Sequence, residues 1–129
     1  MGLPIVLENL RRRPGMYVDS ATFDVVVAFI EGYNSAGSYG LLIGFREWLV
    51  VRIDYGDNLG WSALVRVLIG VGQVEDGPEL VIERLFALLE EFLVFRDSNE
   101  GLRRIFIQYE AWLERQSWYT PESPRKIPR

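Results

Sequence analysis

Apolar side chains return at three-to-four-residue intervals along most of this chain, the spacing of an amphipathic helix. The pattern is clearest over residues 79–95. On a wheel of roughly 100° per residue, Val81, Ile82, Leu85, Leu88, Leu89 and Phe92 fill one arc. Glu79, Glu83 and Glu90 align on the other side. Residues 100–116 repeat the theme with Leu102, Ile105, Phe106, Tyr109 and Leu113, after a break at Asp97-Ser98-Asn99. Nearer the start, Phe23, Val26, Val27, Ile30 and Tyr33 share a face opposite Asp24, Ala28 and Glu31, with Asp19 or Ser20 as the N-cap and glycines from Gly32 to Gly40 closing the helix.

Three shorter segments complete the pattern. Residues 4–12 predict an opening helix, stopped by Pro14-Gly15. Residues 41–54 are apolar on nearly every side and predict a buried helix, although Trp48-Leu49-Val50-Val51-Arg52-Ile53 fits a strand equally well. After a turn at residues 55–60, residues 61–71 predict another short buried helix, and residues 72–77 a surface loop ending in Pro78. The expected fold is an all-α, compact single-domain bundle of five to six helices over residues 1–118, with a short hairpin near 48–61 as the alternative there. Residues 119–129 carry Pro121, Pro124 and Pro128 and predict a flexible, basic, Pro-rich tail.

Composition narrows the chemistry. Of 129 residues, 49% are apolar and 25% charged, which suits one globular core. Cysteine and histidine are both absent, which removes disulfides, thiolate metal sites, the usual Ser-His-Asp triad and the commonest general base near neutral pH. No catalytic residue, metal ligand or cofactor is assigned. Net charge is −4, and residues 75–100 hold eight acids against Arg84 and Arg96. Such a field disfavours direct nucleic-acid binding and suits a basic partner. No apolar stretch is long enough for a membrane span or patterned as a signal peptide, so a cytoplasmic protein without membrane contact is expected.

The string Arg12-Arg13-Pro14-Gly15-Met16-Tyr17 resembles the Arg-Pro-Gly-Met-Tyr signature that opens the ATPase domain of the gyrase B family. That resemblance implies a following helix with a catalytic Glu and a metal-binding Asn four residues on. Here Asn34 falls three residues after Glu31 and Ser35 four, and no Asp-x-Gly-x-Gly string follows Ile53, so no ATP binding is expected. The structural reading has arginines at a helix C-terminus, a Pro-Gly turn, and Met16 and Tyr17 packing the exit.

A second resemblance spans most of the chain. That opening, then Ile30-Glu31-Gly32-Tyr33, Gly44-Phe45-Arg46-Glu47-Trp48-Leu49, Asn58-Leu59-Gly60-Trp61 and the acidic Leu-rich helix resemble small bacterial proteins similar to immunity proteins or antitoxins of polymorphic toxin systems. The resemblance implies a non-enzymatic protein that neutralises a cognate toxin by direct binding through an acidic surface. The alternative is a small-molecule or nucleotide-binding domain related to the gyrase-type motif.

Two clusters are candidates for a site. Phe86 and Leu93 flank Glu79, Glu83 and Glu90 on the wheel, so these five predict a partner-binding surface with apolar anchors and a charged rim. Packing of Phe86 and Leu93 under the tail or another helix fits the same pattern. Around Phe45-Arg46-Glu47-Trp48, a buried ion pair of Arg46 or Arg52 with Glu47 or Asp54 competes with a ligand pocket walled by Trp48, Trp61 and Tyr55.

Overall fold

A computed structural model describes residues 2–70 and 77–120. Six α-helices lie in them, and no strand: α1 (Ile5–Arg12), α2 (Phe23–Ala36), α3 (Phe45–Ile53), α4 (Trp61–Ile69), α5 (Pro78–Arg96) and α6 (Gly101–Glu114). The protein is an all-helical, compact single domain. The longest helix, α5, touches each of the other five, while α3 packs most extensively on α6 and α4.

Local chemistry sets the boundaries. Arg13 donates its N–H to the Asn9 carbonyl at 2.8 Å and ends α1, and Pro14–Met16 form one 3₁₀ turn. The start of α2 is fixed by Thr22, whose Oγ1 accepts the Val25 N–H at 3.3 Å. Neither Asp19 nor Ser20 is the cap, because the chain stays irregular until Thr22 supplies extended geometry one residue before the first turn. Gly32 lies within α2, which runs on to Ala36 and is closed by the turn through Gly37, Ser38 and Tyr39.

Residues 41–44 are a turn, so α3 begins later than its apolar run. Gly44 takes φ +88°, a left-handed conformation that breaks the path before Phe45. From Phe45 to Ile53 the chain is helical, and the hairpin near 48–61 does not form. Helical spacing buries Phe45, Leu49 and Val50 together on the core side, an arrangement that the alternation of a strand would split between faces. Between α5 and α6 the turn is tight. A Cβ on Gly101 would lie 2.1 Å from the Phe95 carbonyl oxygen, so the close approach of the two helices requires glycine.

The core joins Leu7 and Leu10 of α1, Val26 and Ile30 of α2, Leu64 and Val65 of α4, and Ile105, Tyr109, Trp112 and Leu113 of α6 around α5. Phe45 sits at the centre of an aromatic group, 4.8 Å from the Phe92 ring centroid, 5.6 Å from Trp61 and 6.2 Å from Trp48. Folded packing continues past residue 118, since Tyr119 is half-buried against the core and Trp118 meets Trp112 edge-on at 6.3 Å. The expected tail from residue 121 and the expected loop over 72–76 lie outside the described residues.

Candidate functional site

The surface expected on α5 divides in two. Phe86 and Leu93 are buried to 0% and 1% exposure, so they are core side chains and cannot anchor a partner. Their positions on the wheel widen the apolar arc to about 160°, as befits a helix surrounded by others. Glu83 and Glu90 remain at the surface but are occupied by α1. Arg11 binds both, with its guanidinium on the Glu83 carboxylate and 3.0 Å from Glu90 Oε1. The hydrogen bond from Arg11 holds the Glu83 carboxyl below its usual pKa, and bonding to Glu83 raises that of Arg11 in turn. Glu79, in the first turn of α5, is exposed with no ion-pair partner among the described residues.

The gyrase-like string is a surface turn. Arg12 pairs with Glu8 at 3.1 Å and Tyr17 meets Phe29 edge-on at 5.9 Å, as the structural reading expects of a helix exit. Met16 departs from that reading, because it is 71% exposed and packs nothing away from water. The Glu and Asn that such an ATPase would use have other duties here. Glu31 accepts the Trp61 indole N–H at 3.0 Å, and buried Asn34 accepts the Leu42 N–H at 3.0 Å, tying the turn after α2 to its helix.

Arg46 and Glu47 form the buried ion pair that the sequence offered, at 3.2 Å with Glu47 almost wholly enclosed. Arg52 instead reaches Glu91 at 2.9 Å and lies over the Trp48 ring. Arg46 also donates to the Asp57 carbonyl at 2.7 Å and to the Tyr109 hydroxyl at 3.2 Å. Burial opposes the Arg46 charge, but Tyr109, Glu47 and Asp57 together outweigh it and raise its pKa. Tyr109 donates its own hydroxyl proton to Asp57, and burial first, then that bond, pushes the phenol pKa up. The network fastens the α3–α4 loop to α3 and α6.

Beside this network lies a cleft of about 380 Å³. Tyr55, Gly56, Asp57 and Asn58 form the wall from the α3–α4 loop, and Trp112, Gln116 and Trp118 the wall from the end of α6. Gly56 takes φ +94°, and a Cβ there would meet Leu64 Cδ2 at 2.5 Å, so glycine lets the loop lie close over α4. Across the loop, Asp54 accepts the Trp112 indole N–H at 2.7 Å. Of the three residues expected to wall a pocket, Trp48 and Trp61 pack on Phe45, and Tyr55 borders this cleft.

Sequence reasoning missed Trp112, Gln116 and Trp118 as cleft residues. A signal was available, since Trp112, Trp118 and Tyr119 cluster at and just beyond the end of the last predicted helix. No known protein family, curated protein or solved structure matches the chain.

Proposed function

We propose that this chain is a non-enzymatic binding protein of the immunity or antitoxin class, which neutralises a basic protein toxin by occluding it. The observation that carries the reading is the cleft, where Tyr55 and Trp118 stand 50% and 58% exposed beside the Asp57 carboxylate. Large amphipathic aromatics next to charge are the composition of an interface, and they are costly to leave in water without a partner to cover them. The acid excess, −4 over the chain, favours a basic partner and accelerates its capture. Exposed Glu79 belongs to that field; Glu83 and Glu90 contribute to it only after partial neutralisation by Arg11.

The nucleotide-binding alternative gains nothing from the geometry, because Glu31 and Asn34 already serve as structural hydrogen-bond acceptors. Among the described residues, no helix is long and apolar enough to cross a membrane. The test is coexpression of the chain with the products of its immediate genomic neighbours. Rescue of growth from a toxic neighbour, with copurification of the two proteins, is the expected result. Absence of both binding and rescue for every neighbouring product would overturn the assignment.

A further inference from the structure

The cleft has a chemical preference of its own. Its exposed aromatic surface comes from Tyr55 and Trp118, whose ring faces carry the negative end of the aromatic quadrupole. Trp112, 2% exposed, backs the cleft and gives its indole N–H to the Asp54 carboxylate. Charge works in the same direction. Asp54, Asp57 and Glu47 lie around this end of the molecule against Arg46, which sits 3.2 Å from Glu47 and 3.7 Å from Asp57. Among the described residues, Tyr109 and Arg46 engage Oδ1 of Asp57 and nothing engages Oδ2, so the carboxylate retains acceptor capacity.

Electron-rich ring faces beside surplus carboxylate select a cation, and flat rings next to a carboxylate suit a planar guanidinium better than a compact, strongly hydrated ammonium. We propose that the cleft receives an arginine side chain of a partner protein, stacked against the exposed Trp118 ring with its N–H edge toward Asp57. The inference rests on the reading above for the basic character of the partner. Its own chemistry is testable without that partner.

The probe is N-acetyl-arginine methylamide, titrated into the intact chain at constant ionic strength and followed by the indole N–H resonances. The neutral isostere N-acetyl-citrulline methylamide is the control. The expected result is saturable binding in the millimolar range that shifts Trp112 and Trp118 and leaves Trp48 and Trp61 in place, with no saturation by citrulline. Trp118→Leu, at an exposed ring, should keep the fold and weaken binding by about threefold or more. Asp57→Asn should weaken it similarly, and because Asp57 also holds Tyr109, the Trp118 variant decides the matter if the Asn variant unfolds. Equal binding of citrulline, or equal shifts at all four indoles, would overturn the proposal.

A gain of about tenfold in the R125Q/K126Q/R129Q variant would also overturn it, by identifying the chain's own C-terminal bases as the occupant. Arginine binding in a protein that neutralises no neighbouring toxin would leave the cleft standing and remove the function. Neutralisation unaffected by a Trp118→Leu change, in a protein that binds no arginine probe, would do the reverse.

Discussion

Asp57 holds the α3–α4 loop in place through both its side chain and its backbone. Its carboxylate accepts the Tyr109 hydroxyl, and its carbonyl accepts an Arg46 N–H at 2.7 Å. Because the folded protein raises the Tyr109 pKa above the ordinary 10.0, the stability tied to the neutral phenol is complete below that value. It is lost as pH rises through the higher folded value. Tyr109→Phe should therefore cost about 1 kcal/mol at neutral pH, where Asp57 loses a donor, yet flatten the alkaline limb of the stability profile. Urea midpoints of parent and variant, compared at about pH 8 and about pH 11, should converge at the higher value; a constant gap would mean that the phenol does not titrate differently in the two states.

At the scale of elements, α5 decides both the packing and what surface remains. Phe86→Ala should destabilise by about 3–5 kcal/mol, since it empties a fully enclosed site where α5 meets its neighbours. Val94→Ala, at a half-exposed position of the same helix, should stay within about 0.5 kcal/mol. Thermal melts of the two variants separate a core helix from a docking face. The Arg11 clamp between α1 and α5 gives a second test. Glu83 has a lowered pKa through its bond to Arg11, so its contribution is present above the ordinary 4.5 and disappears as pH falls through the depressed folded value. The stability gap between parent and Glu83→Gln should thus narrow on acidification, and it should be small throughout because the pair is solvent-screened.

Helical periodicity made α2, α5 and α6 readable in the sequence, because each has charged residues to mark its outer side. The same reasoning placed Phe86 and Leu93 outside the buried arc, since a wheel shows the angle of a side chain but not how many helices surround it. Contact with five neighbours widened the arc, and Arg11 came from 72 and 79 residues away to claim Glu83 and Glu90. Local spacing carries no trace of such a pairing. Segment 48–53 stayed ambiguous because a short apolar run fits helix and strand alike until the partners on α4, α5 and α6 are known. A buried ion pair of Arg46 or Arg52 with Glu47 or Asp54 was legible, because charges in an apolar run must find partners, but which pair formed depended on Arg52 reaching Glu91 on α5.

For the whole molecule the relevant quantity is the field that a partner meets before contact. With a net charge of −4, the basic partner proposed above would be steered inward, and its association should slow steeply as salt rises. Reversing Glu83 or Glu90 would place a cation against Arg11 and confuse steering with destabilisation. Glu79 and Glu114 avoid this, because both are exposed with no ion-pair partner among the described residues, and reversing both brings the formal charge to zero. Glu79→Lys forfeits a favourable charge in the first turn of α5, at a cost of about 0.5 kcal/mol, so the double variant should remain folded. Its association rate with the proposed basic partner should fall by about tenfold at low salt and approach that of the parent at high salt, while the dissociation rate, if desolvated contacts in the proposed cleft set it, stays the same. Stopped-flow mixing at two ionic strengths reads both. A parent-like association rate at low salt would mean that the acid surplus plays no part in finding the partner.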